Sequence, residues 1–103
     1  MRKYGRTDAN QSQIVSQLRQ IGATVQSLAS IGNGCPDIMV GWQGRNILME
    51  LKDGEKVKSQ KRLTPEEDIW HQDWKGQVAI VESFDDALKL VNGRKVNSTE
   101  RGL

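Results

Sequence analysis

Two short apolar runs on either side of Gln43-Gly44-Arg45 constrain the fold of this chain more than any other feature. Asp37-Ile38-Met39-Val40-Gly41-Trp42 and Asn46-Ile47-Leu48-Met49-Glu50-Leu51-Lys52 read as strands, and a tight turn at Gln43-Gly44-Arg45 pairs them antiparallel. Side chains in a strand change face at every residue, so Glu50 and Lys52 share one face while Met49 and Leu51 share the other. Asp37, at the start of the first arm, is then opposite or diagonal to Glu50. Cβ atoms of such neighbours lie roughly 5 Å apart when opposite and roughly 7 Å apart when diagonal.

Those residue types suit one kind of chemistry. Hard cations such as Mg²⁺ prefer carboxylate oxygens, keep several waters, and commonly take one or two protein carboxylates beside substrate phosphate oxygens. Asp37 and Glu50 supply two carboxylates without a histidine. Lys52, just beyond them, could orient the nucleophile or share the charge growing on a phosphate. A Glu-x-Lys pair on a strand is by itself a common solvated edge. Here it gains weight from Asp37, which the bending segment Ile31-Gly32-Asn33-Gly34-Cys35-Pro36 can deliver to the sheet rim. The expectation is a metal-dependent phosphodiesterase site, with Mg²⁺ or Mn²⁺ as cofactor.

At 103 residues the chain is expected to form one domain over residues 1–92, followed by a polar tail over 93–103. No segment approaches the roughly 18 apolar residues of a membrane span, and Met1-Arg2-Lys3-Tyr4-Gly5-Arg6 leads into polar residues rather than the apolar core of a secretory signal. A soluble, cytoplasmic protein with no membrane partner is expected. Cys35 is the only cysteine and His71 the only histidine, which excludes an internal disulfide and argues against a structural zinc site. Cys35 reads as a small packing residue, and His71 as a surface or boundary residue with no assigned role. The net charge of +2 says little, but its distribution says more. Lys3 and Arg6 lie near the N-terminus, while Lys56, Lys58, Lys61 and Arg62 crowd the loop after Lys52. These six are the candidate contacts to a nucleic-acid backbone.

Asp8 and Gln11 resemble a capping box, and Ile14, Val15, Leu18 and Ile21 predict an apolar helical stripe ending at Gly22. Ala23 to Leu28 reads as a strand before the hairpin. Thr64-Pro65-Glu66-Glu67 is a helix start, with Thr64 as cap and Glu67 closing the box, and Ile69, Trp70 and Trp74 are expected on its buried face. Gly76 ends that helix. A strand over Gln77 to Val81 follows, then a helix capped by Ser83 and running through Phe84, Ala87, Leu88 and Val91. The order α-β-β-β-α-β-α predicts an α/β fold with a central mixed sheet flanked by helices. Trp42, Trp70 and Trp74 are assigned to a core or a subunit interface.

With Pro36-Asp37 and Glu50-Leu51-Lys52, this order resembles the restriction endonuclease-like core of the PD-(D/E)XK nucleases, a superfamily that includes Holliday-junction resolvases. The closer resemblance is to the VRR-NUC family. Gly34-Cys35-Pro36-Asp37 is similar to its G-x-P-D, and Leu63-Thr64-Pro65-Glu66-Glu67 leading to Trp70 is similar to the helix after its site. The likeness spans Asp8 to Val91. It implies Asp37, Glu50 and the Leu51 carbonyl as metal ligands, and Lys52 as the group positioning the attacking water. The family usually carries a Glu on its first helix, where this chain has Gln11. Gln11 is thus either a weakened member of the catalytic set or simply the capping partner of Asp8. Glu67 stands where the family often has Gln, and either caps its helix or also reaches the metal shell.

The resulting expectation is a divalent-metal-dependent, structure-selective DNA endonuclease of a bacterial cell or phage-infected host. It would act as a homodimer on branched DNA such as a Holliday junction. The alternative is a catalytically weak nucleic-acid-binding subunit of the same fold. A sequence-specific nuclease ranks last, because no segment is left to read bases in the major groove.

Overall fold

The computed structural model describes residues 9–53 and 63–93. Within them the chain forms α1 (Ala9–Gln20), β1 (Thr24–Ser27), β2 (Ile38–Trp42), β3 (Arg45–Leu51), α2 (Pro65–Asp73), β4 (Val78–Val81) and α3 (Phe84–Val91). The strands make one mixed sheet in the order β1-β2-β3-β4, antiparallel except for the β3–β4 pair. The expected α/β class, the element order and the central position of the hairpin agree with this architecture. Among the described residues no helix is long and apolar enough to cross a membrane.

The hairpin closes more tightly than the sequence reading assumed. Arg45 belongs to β3 and pairs with Trp42, which leaves Gln43 and Gly44 as a two-residue turn with φ of 51° and 80°. Positive φ at both central residues is the geometry whose twist matches that of paired strands, and glycine at the second position adopts it without strain. The register that follows pairs Ile38 with Met49 and Val40 with Ile47.

One face of the sheet carries the core. Ile38 and Val40 of β2, Ile47, Met49 and Leu51 of β3, and Ala79 and Val81 of β4 pack against Ile14 and Leu18 of α1 and Ala87, Leu90 and Val91 of α3. Burying each of the larger aliphatic side chains stabilises the fold by about 1.5–3 kcal/mol. Ser83 caps α3 by accepting from the Asp86 amide, as expected. The Arg45 guanidinium, at the far end of the hairpin, donates to the Val91 carbonyl and ties the sheet to the end of α3.

Two apolar assignments are corrected. Ile21 falls in the turn after α1 and is 37% exposed, because the helix stops at Gln20. In α2 the Thr64 and Glu67 capping box is present, yet Ile69 is 61% and Trp74 46% exposed, and the helix ends at Asp73 rather than running to Gly76. The buried residue of α2 is His71, at 2% exposure. It is therefore not a surface or boundary residue. Glu50 and Lys52 point away from the α1–α3 core toward α2, so the helix meets a charged surface and turns its polar side chains inward. Trp70 and Trp74 stack on each other with centroids 4.6 Å apart, while Trp42 packs at the margin of the core.

Candidate active site

The hairpin register continues one step beyond β2, setting Asp37 across from Glu50. The Asp37 Oδ2 accepts a 2.7 Å hydrogen bond from the Leu51 amide, its carbonyl accepts from the Leu28 amide, and its carboxyl group lies close enough to that of Glu50 for each to shift the other's titration. A backbone fixed on both strands thus aims the two carboxyls at each other.

Lys52 sits at the mouth of this pair. Its Nζ is 3.1 Å from Glu67 Oε1 and 3.8 Å from Glu50 Oε2. The same Glu67 oxygen accepts from the Thr64 amide at 2.9 Å, so the cap of α2 is also the anchor of the ammonium. The Lys52 amide donates to the Val81 carbonyl at 2.9 Å. Asn10, in the first turn of α1, donates through Nδ2 to the Lys52 carbonyl at 3.0 Å and the Glu82 carbonyl at 3.4 Å. Behind Glu50 lies His71, with Nε2 3.7 Å from Glu50 Oε1.

The electrostatics are those of crowded acids. Burial foremost, then the charges of Asp37 and Glu67, push Glu50 up from 4.5 to about 9. Burial likewise raises Asp37, against the opposing pull of the Leu51 amide. Burial also pushes Glu67 upward, but its bonds to the Thr64 amide and Lys52 outweigh that and leave it below the usual range. Burial lowers His71 and favours the neutral imidazole. Cys35 is raised by burial and by the neighbouring Glu50 and Asp37, which suits a packing thiol rather than a nucleophile.

Asp37, Glu50 and Lys52 are therefore brought together as expected, with Leu51 joined to them through its amide. Gln11 lies at the same rim of the sheet, in a groove of about 650 Å³ beside Ile38, Ser27 and Arg19. Lys3, Arg6, Lys56, Lys58, Lys61 and Arg62 lie outside the described residues. The sequence reading missed His71 and Asn10. A signal existed for the first, since Glu67 and His71 are four residues apart on a helix and so share a face. Nothing local marks Asn10, whose partners are 42 and 72 residues away.

Among the described residues, no three His, Cys, Asp or Glu side chains form a ready-made metal cage. The donor set instead fits a hard, hydrated cation that needs only two carboxylates. Among the described residues, Glu50 Oε1 is buried without a hydrogen-bond partner, and the Lys52 ammonium faces three neighbouring carboxyl groups, those of Asp37, Glu50 and Glu67. A cation bound by Asp37 and Glu50 would relieve both conditions.

Without that cation, the protein should lose stability as pH rises. Between about 4.5 and about 9 the unfolded chain releases the Glu50 proton while the native chain keeps it. The stabilisation is thus complete below 4.5 and falls by at most about 1.4 kcal/mol per pH unit through the native value. Thermal melts in EDTA from pH 5 to 9 should show this decline, and Glu50→Gln should flatten much of it. Equal slopes for the two proteins would contradict the protonated state of Glu50. Comparison with family models, curated proteins and solved structures returns no match for this chain, so the reading of the site rests on its own residues.

Proposed function

We propose that this chain is a divalent-metal-dependent DNA endonuclease with a restriction endonuclease-like fold, related to the VRR-NUC nucleases, that cuts branched DNA as a symmetric homodimer. The observation that carries this reading is the convergence of Asp37, Glu50 and Lys52 at one end of β2 and β3, with two acids facing each other and an ammonium at 3.8 Å from the second. Asp37 and Glu50 would hold Mg²⁺ or Mn²⁺, with the Leu51 carbonyl as a further ligand. When bound, the cation lowers the pKa of a water and neutralises charge on the scissile phosphate. Lys52 orients the attacking water and shares that charge, and Glu67 keeps its ammonium in place. Asn10 holds the backbone at Lys52, so the amine projects from a fixed point. One site cuts one strand, so two sites related by symmetry suit a Holliday junction or a fork.

The test is incubation with labelled four-way junction, fork, duplex and single-stranded DNA in Mg²⁺, Mn²⁺ or EDTA. Cleavage should require metal and favour the branched substrates. Tight binding without cutting in either metal would replace this reading with that of a nucleic-acid-binding subunit, and neither binding nor cutting would overturn both.

A further inference from the structure

His71 is the polar side chain that the chemistry above leaves without a task. A histidine that is 2% exposed takes the inside position on a nine-residue helix whose Ile69, and Trp74 just after its end, are exposed. Its Nε2 faces Glu50 Oε1 at 3.7 Å, and that oxygen has no hydrogen-bond partner among the described residues. The other Glu50 oxygen faces Lys52 at 3.8 Å. Glu50 is thus bracketed along its two oxygens, by an imidazole behind and an ammonium in front.

The helix is held in position to do this. Thr64 and Glu67 cap its start, Glu67 is tied to Lys52, and its first turn lies directly under the loop that ends at Asp37. A Cβ on Gly34 would meet the Glu66 carbonyl oxygen at 2.4 Å. Glu67 and His71, one turn apart, therefore approach Lys52, just after β3, and Glu50 within it from a single face. From this we infer that His71 is a positioning residue: the 3.7 Å gap is longer than a hydrogen bond, and closing it by a few tenths of an ångström when a cation is held by Asp37 and Glu50 lets Nε2–H donate to Glu50 Oε1 and fix the carboxylate plane, leaving the other oxygen for the cation. A hydrogen bond of this kind to a ligating carboxylate sets its orientation and basicity, and its loss typically weakens metal binding about 10–100-fold. The inference rests on the reading of Asp37 and Glu50 as the cation ligands.

Mn²⁺ titration calorimetry on the full-length protein without DNA tests it, using the parent, His71→Met, His71→Asn, His71→Gln and Glu50→Ala. Circular dichroism checks that each variant is folded. Glutamine can place an amide nitrogen where Nε2 stands, whereas asparagine places one nearer Nδ1 and methionine supplies no donor. His71→Met and His71→Asn should weaken Mn²⁺ binding about 10–100-fold, and His71→Gln should restore most of it. If methionine at this buried position prevents folding, the contrast between asparagine and glutamine carries the test. Parent-like affinity in His71→Asn, or glutamine as weak as asparagine, would overturn the role of His71 alone. Absence of Mn²⁺ binding by the parent, or binding unchanged in Glu50→Ala, would overturn the cation site itself and this inference with it.

Discussion

Replacing Glu50 with alanine is expected to lower metal-dependent DNA cleavage by at least about 10³-fold, the several kcal/mol that a correctly held cation contributes to the barrier. The same substitution should leave the fold intact, and in EDTA above pH 7 it should raise the melting temperature. Glu50 is 2% exposed, pushed up to about 9 by burial and by the acids around it. An uncompensated acid at such a position costs stability that a methyl group does not. The cavity left by the lost side-chain atoms works against this gain, and Glu50→Gln, which keeps the volume, separates the two effects. Cleavage measured at saturating Mg²⁺ beside melts in EDTA distinguishes a site from a structural acid. A structural role predicts loss of stability and of activity together, whereas the active-site reading predicts that they move in opposite directions. Cleavage that survived both Glu50→Ala and Asp37→Ala would remove the basis for the assignment.

Gly34→Ala is the second large effect, and its loss of stability does not depend on the proposed function. Gly34 has φ of +84°, a conformation that costs a residue with a Cβ about 1–3 kcal/mol. A Cβ there would also stand 2.4 Å from the Glu66 carbonyl oxygen, a backbone atom in the first turn of α2 that cannot rotate aside. Separating the loop from the helix should bring the total to about 2–4 kcal/mol, read as a lower urea midpoint with the slope of the transition unchanged. Asp37 and Glu67 flank that contact, so the site should loosen as well, and weaker Mn²⁺ binding should accompany the loss of stability. A Gly34→Ala protein as stable as the parent would mean that the loop does not rest on α2 as described.

Much of the site was legible because its determinants are local. Period-two alternation in β3 fixes the relation of Glu50 to Lys52, and the hairpin register fixes Asp37 against Glu50, so no knowledge of distant packing was needed. The Thr64–Glu67 box is equally local. The inner face of α2 was misread for a physical reason. Ile69, Trp70 and Trp74 invite burial by hydrophobicity alone, but helix faces are chosen by what lies opposite, and here that is a buried carboxylate rather than an apolar sheet. Once Glu50 faces α2, an isoleucine at the inner position would leave the buried carboxyl without a polar neighbour on that side, whereas His71 sets Nε2 3.7 Å from it. Asn10 was not legible at all, because its partners are brought to it only by the complete sheet.

A single oxygen, Oε1 of Glu67, completes the start of a helix and holds the ammonium of Lys52. Any replacement at position 67 therefore changes two properties at once, the tendency of α2 to begin at Pro65 and the freedom of the amine to move. Selection or engineering cannot adjust the position of the Lys52 amine through this contact while sparing the architecture, and a variant chosen for a firmer helix would carry a displaced amine with it.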